Sequence, residues 1–216
     1  MNQSAASADK NSEAFSMKSK EYVLSSQGSD NRNIPNEAES TALKNRLDEK
    51  SALRLRLLAE ELICMLPQLL HYGAGKFWIE WTGRDYELHL NVTIDKTHDY
   101  DVDRILAVSS SGQNAAAKGI IGKMIVAVES MLGKNENSID DDPYGVWRRG
   151  LADYDEETIW SLEAYKDAFS SENAKQEYSD DWDELERSII ANLADEVRVG
   201  VRGGKIDIVV LKSFYK

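Results

Sequence analysis

Two stretches of the chain alternate apolar and polar residues so regularly that few architectures remain open. In the first, Phe77, Ile79 and Trp81 alternate with Trp78, Glu80 and Thr82; after Gly83-Arg84-Asp85, the run Tyr86, Leu88, Leu90, Val92 and Ile94 alternates with Glu87, His89, Asn91 and Thr93. In the second, Val197, Val199 and Val201 lead through Arg202-Gly203-Gly204-Lys205 to Ile206, Ile208 and Val210. A period of two sends every second side chain to the same face of a strand, and glycine-bearing breaks suit tight turns. Both stretches predict antiparallel hairpins, each with one face that something else must cover.

Helical spacing supplies the cover. Residues of about 36–47 predict a short helix. A second begins near Asp48 or Ser51, with Leu55, Leu58, Leu62, Met65, Leu66 and Leu69 recurring every three or four positions. Pro67 cannot donate to the helix ladder and should kink or end it, with Gly73 and Gly75 closing the segment. From 115 to 132, Ile120, Ile121, Met124, Ile125, Val128, Met131 and Leu132 share one face. Further helices are expected over about 157–169, carrying Ile159, Leu162, Tyr165 and Phe169, and over about 181–194, carrying Trp182, Leu185, Ile189 and Leu193. Before all of these comes a β-prone run, Glu21 to Ser26, and before that a Ser, Ala and Asn-rich stretch over 1–19 that reads as a flexible tail in which Met17 offers an alternative start. The fold class expected is α+β, a two-layer sandwich with helices on one face of a mixed, mostly antiparallel sheet.

Charge divides the chain further. Of 216 residues, 26 are basic and 38 acidic, giving a net charge of −12. Residues 135–186 alone hold 17 acidic and 4 basic residues, so the rest of the chain is close to neutral. The same segment carries 8 of the 18 aromatics. Disordered acidic tails are poor in aromatics, so the segment is read as an insertion in one domain spanning 20–216. It is either a folded elaboration with its acids in water or a docking surface for a basic protein partner. The acidic balance argues against nucleic acid as a partner. With no apolar run long enough to span a bilayer, no membrane partner is expected. Cys64 is the single cysteine, which excludes an intramolecular disulfide and fits a cytoplasmic location.

The order of strand, two helices, hairpin, helix, insertion, helix and hairpin, together with particular residues, resembles the GHKL or Bergerat-fold ATPase domain of histidine kinases, and most of all its small anti-sigma-factor type. The carrying residues are the helix Leu55-Arg56-Leu57-Leu58-Ala59-Glu60-Glu61-Leu62-Ile63-Cys64-Met65, the following Gly-Lys-Phe-Trp-Ile-Glu hairpin strand, and Asn192 to Val199 with the final strand to Phe214. The likeness covers roughly residues 20–132 and 181–214. It implies a Glu-x-x-x-Asn motif in which the acid positions the attacking group and the Asn ligates Mg²⁺. Glu60 matches the acid, but Cys64 stands in the Asn position, and a soft thiol is a poor ligand for hard magnesium. The resemblance likewise puts Asp95 at the adenine-reading position, followed by Lys96, Thr97 and His98 where glycines are implied. Gly112, Gly119 and Gly122 lie near the phosphate-loop position. The implied nucleotide site is therefore eroded.

Other motifs yield little. Gly73-Ala74-Gly75-Lys76 has Phe77 where a phosphate loop needs Ser or Thr. Asp99, Asp101 and Asp103 open like a calcium loop, but Arg104 and Ser110 occupy the required Gly and Glu positions. His71, His89 and His98 have no metal spacing, so no metal site is expected, and Cys64 reads as a small buried hydrophobe. For Glu60 the plain alternative is a surface acid paired with Arg56 one turn earlier. These observations point to an intracellular regulatory or protein-binding module with no bound cofactor, for which a homodimer is compatible. The alternative is a working ATPase or Ser/Thr kinase using ATP and Mg²⁺, with Glu60 as catalytic group and Cys64, Asp95, Gly112 and Gly119 around the nucleotide. An unrelated α+β structural domain is the third.

Overall fold

The computed structural model describes residues 16–24, 29–66, 74–93, 120, 122–124, 158–177, 179–202 and 205–215. Two short strands, β1 (Met17–Lys18) and β2 (Tyr22–Leu24), precede a 3₁₀ turn (Ser29–Asn33) and two helices, α1 (Ile34–Lys44) and α2 (Glu49–Cys64). The first hairpin is β3 (Gly75–Thr82) and β4 (Asp85–Thr93). Beyond it come β5 (Thr158–Ser161), helices α3 (Leu162–Asp167), α4 (Glu172–Glu177), α5 (Ser179–Arg187) and α6 (Ile189–Leu193), and the second hairpin, β6 (Glu196–Arg202) and β7 (Lys205–Ser213). The class is α+β.

One seven-stranded sheet has the order β1-β3-β4-β7-β6-β5, with β2 also on the outer side of β3. The two hairpins join through β4 and β7, which pair Leu88 with Val210 and Leu90 with Ile208. Every described pairing is antiparallel; the parallel element that a mixed sheet would need is not among the described strands. Both hairpins show the alternation their sequences require. Phe77, Ile79, Tyr86, Leu88, Leu90, Val92, Val197, Val199, Ile206, Ile208 and Val210 are buried in one cluster with Leu55, Leu58, Ala59 and Leu62 of α2 and Ala38 and Ala42 of α1. Removing this apolar surface from water, at roughly 25 cal/mol per Å², supplies the main drive for layering helices on one sheet face.

Several boundaries differ from the sequence-based expectation, each for a local reason. α1 starts at Ile34 rather than 36, because Pro35 falls in the first turn, where its missing N–H costs nothing. It ends at Lys44, and Arg46 turns the chain at φ 61° into α2. Asp48 caps α2 by accepting from Ser51 N at 3.0 Å. The first turn contains only Gly83 and Arg84, since Asp85 already pairs with Thr82 and Ser213; Gly83 takes the positive φ of 61°. Met17 and Lys18, within the expected tail, pair with Trp81 and Glu80 on the edge of β3.

The largest departure lies between 157 and 194. The expected first helix is split: Thr158–Ser161 is a strand pairing with β6, and only from Leu162 does the chain turn helical. Ser161 caps α3 by accepting from Ala164 N at 3.1 Å, and the Glu196 carboxylate accepts from Leu162 N at 3.0 Å and Glu163 N at 3.3 Å. The expected last helix is also split, at buried Ser188, whose hydroxyl accepts from Ala191 N at 3.2 Å and starts α6. Of the expected 115–132 helix, Ile120 and Gly122–Met124 are helical, with Ile120 and Met124 buried; the rest lies outside the described residues.

Candidate functional site

α2 carries the two motif positions that can be placed. Glu60 and Cys64 are four residues apart, so they project from one helix face, and both are exposed. Cys64 is thus not the small buried hydrophobe expected, because the core face of α2 passes through Leu55, Leu58, Ala59 and Leu62 instead. Arg56 does not serve Glu60 either. Its guanidinium donates to Glu39 Oε2 at 2.9 Å and ties α2 to α1.

The neighbouring carboxyl behaves differently. Glu61 is buried, and burial, with the Glu60 charge beside it, pushes its carboxyl above the usual range. The Cys64 thiol is also pushed up, first because its sulfur is partly withdrawn from water although the residue as a whole is exposed, and then by the Glu61 and Glu60 charges. A thiol held in its neutral form is a weak donor to any hard cation. The Glu60 and Cys64 face therefore offers one solvated carboxylate and one soft, protonated sulfur. Such a pair suits surface contact better than magnesium-assisted phosphoryl chemistry. Asp95, Gly112 and Gly119 lie outside the described residues.

The acid-rich segment from 158 onward is built into the core. Trp160, Leu162, Tyr165 and Phe169 are buried, and their rings run in contact from Trp160 to Tyr165 at 5.9 Å, to Phe169 at 5.2 Å and on to half-buried Trp182 at 5.8 Å. Buried Lys123 donates to Tyr165 Oη at 2.5 Å and pairs with Glu184 at 3.5 Å, fixing its helix to this layer. The acids of α3–α5 face the other way: Glu163, Asp167, Glu172, Glu177, Asp180, Asp183 and Glu186 are exposed. Tyr144, Trp147, Tyr154 and Tyr178 lie outside the described residues.

An open groove of about 430 Å³ runs beside α3, lined by Lys166, Asp195, Glu196, Arg198 and Ser213 among others. Its polar groups are engaged in holding the fold. Asp195 accepts from Lys212 Nζ and Ser213 N, both at 2.6 Å, Lys166 donates to Ala191 O at 2.9 Å, and Glu196 caps α3.

The outer face of the first hairpin gathers a group that sequence spacing did not reveal. Glu80, Glu87 and His89 bring one ligand atom each within 4.8 Å of one another. Burial holds the His89 imidazole below its usual range, against the pull of Glu80 and Glu87. The signal was in the turn: a two-residue break at Gly83-Arg84 sets Glu80 opposite Glu87 by counting outward along both strands. No protein-family model, curated protein or solved structure matches this chain. Among the described residues, no helix is long and apolar enough to cross a membrane.

Proposed function

We propose that this chain is a cytoplasmic regulatory module that binds another protein, built on an anti-sigma-factor-like, histidine-kinase-ATPase-like scaffold whose nucleotide site has lost hydrolysis. The observation that carries the reading is the layer formed by α3–α5. Its buried aromatics tie it to the core while seven of its acids are exposed, in a stretch with nine acidic against three basic residues over 162–187. A face with a net excess of acid, even with Lys175 and Arg187 paired to Glu172 and Asp183, speeds encounter with an oppositely charged partner and biases its orientation. Trp160, Tyr165 and Phe169 are core residues, so recognition rests on the carboxylates rather than on those rings.

The scaffold half of the proposal draws support from the order β2, α1, α2, β3–β4 and the closing hairpin β6–β7, which the resemblance also has, whereas β5 and the four helices α3–α6 stand where it implies one helix. The loss of hydrolysis is supported by Cys64, exposed and protonated where that resemblance requires a magnesium-binding oxygen.

The partner half is tested by affinity capture with the full chain and with the triple variant Glu177→Gln, Asp180→Asn, Glu186→Gln, after thermal melts show equal stability. A partner held by the wild type at low salt should be lost from the variant, with association slowed about tenfold and weakened further as ionic strength rises. Capture that is equal in both, and insensitive to salt, overturns the acidic-face reading.

A further inference from the structure

On the sheet face opposite the helices, β3 and β4 bring together three side chains of metal-ligating type. Glu80 and Glu87 are direct cross-strand partners, and His89, two residues along β4, shares their face opposite Trp78. Like charges directly opposite one another destabilise a strand pair. This register therefore calls for a cation.

The protein supplies only part of one. Lys18 Nζ lies 3.7 Å from Glu80 Oε1, but its shorter ion pair is with Glu21, at 3.2 Å. His89 Nε2 is sealed from solvent and stands 3.2 Å from Glu87 Oε2, within ion-pair reach yet off hydrogen-bond geometry. A nitrogen and a carboxylate oxygen thus already sit at ion-pair distance, with the Glu87 charge acting on the imidazole.

We propose that Glu80, Glu87 and His89 form a binding site for one zinc-type divalent cation. One imidazole nitrogen and two carboxylate oxygens make a mixed donor set of the kind zinc takes, whereas magnesium and calcium favour oxygen alone. An ion about 2.0 to 2.2 Å from each donor sets neighbouring donors roughly 3 to 4 Å apart. The His89 and Glu87 atoms already meet that spacing, and all three atoms fall within 4.8 Å before any side-chain rotation.

Trp78 serves as the positioning residue. Its indole N–H donates to Glu80 Oε1 at 2.8 Å, and its ring stacks on the His89 imidazole at 4.8 Å between centroids and 2° between planes. One side chain therefore orients two ligands, the role that outer partners play around metal ions. Glu80 and Glu87 remain 33% and 47% exposed, which leaves a path for the ion and coordination positions for water. Lys18, over the Trp78 ring at 4.4 Å, keeps Glu21 as its partner when the ion enters. The site is on a different face of the molecule from Glu60 and Cys64 and does not depend on the protein-binding role.

The test is calorimetric titration of the metal-free full chain with zinc chloride. One ion per chain is expected, with affinity falling at least tenfold in Glu87→Gln and in His89→Gln. A combined His71→Gln, His98→Gln, Cys64→Ser variant should bind as the wild type does. Glu80→Gln keeps an acceptor for Trp78 and so should weaken zinc without loss of fold. In the unaltered protein, zinc should shift the ring ¹⁵N resonance of His89 before those of the other histidines. Absence of stoichiometric uptake, equal affinity in His89→Gln, or loss of binding in the combined variant overturns the site.

Discussion

Glu60 and Glu61 are adjacent on α2 but belong to different media. Glu60 is in water, whereas Glu61 is buried and its carboxyl is raised above the ordinary 4.5. A carboxyl that holds its proton more tightly when folded than when unfolded lowers stability as pH rises through the interval between those two values. Glu61→Gln removes that penalty. The variant should show a higher urea midpoint than the wild type at pH 7, with the difference vanishing below pH 4, where both side chains are neutral. An equal difference at both values would remove the titration from the account. Cys64, exposed but with a raised thiol, should react completely with a disulfide reagent in the folded protein, yet more slowly than a free thiol at pH 8. Cys64→Ser should change stability by less than about 0.5 kcal/mol, as surface substitutions do. Helical spacing sufficed to put Glu60 and Cys64 on one face. The same spacing put Leu55, Leu58, Leu62 and Met65 on the buried face; what failed was the reading of Cys64, which lies off that face, as a buried hydrophobe.

At the scale of elements, the junction of β5 with α3 depends on one carboxylate. Glu196 Oε1 accepts from Leu162 N, Glu163 N and its own neighbour Val197 N, at 3.0, 3.3 and 2.7 Å. Negative charge at a helix start is favourable, and stranding two buried donors and a third that is part-buried is costly. Glu196→Ala should therefore destabilise the chain by about 1.5 to 3 kcal/mol in urea unfolding, with Glu196→Gln costing less; a loss under about 0.5 kcal/mol would refute the capping role. Gly83→Ala, at φ 61°, should cost about 1 to 2 kcal/mol. The two hairpins were legible because alternation is written into their own residues. β5 was not, since Ile159, Leu162, Tyr165 and Phe169 fall at helical intervals and the strand exists only by pairing with β6, some 40 residues away. The Glu80, Glu87 and His89 group was hidden for a related reason. Its members are neighbours across a register, not along a spacing.

For the molecule as a whole, the acid-rich stretch is no detachable appendage from residue 158 onward. Trp160 is fully buried and begins the run of rings that ends at Trp182. Trp160→Ala should cost about 3 to 5 kcal/mol, and deleting 135–186 should unfold the chain, since it removes β5 and α3–α5. A deletion protein that kept its near-ultraviolet dichroism and a cooperative melt would contradict this. The proposed function needs both an acidic face that takes a partner and a nucleotide position that no longer takes Mg-ATP. Calorimetric titration with Mg-ATP tests that union most directly. No saturable heat is expected in the micromolar range for the wild type and none for Asp95→Ala. Micromolar binding that weakens in Asp95→Ala, with phosphate release abolished in Glu60→Gln, would contradict it.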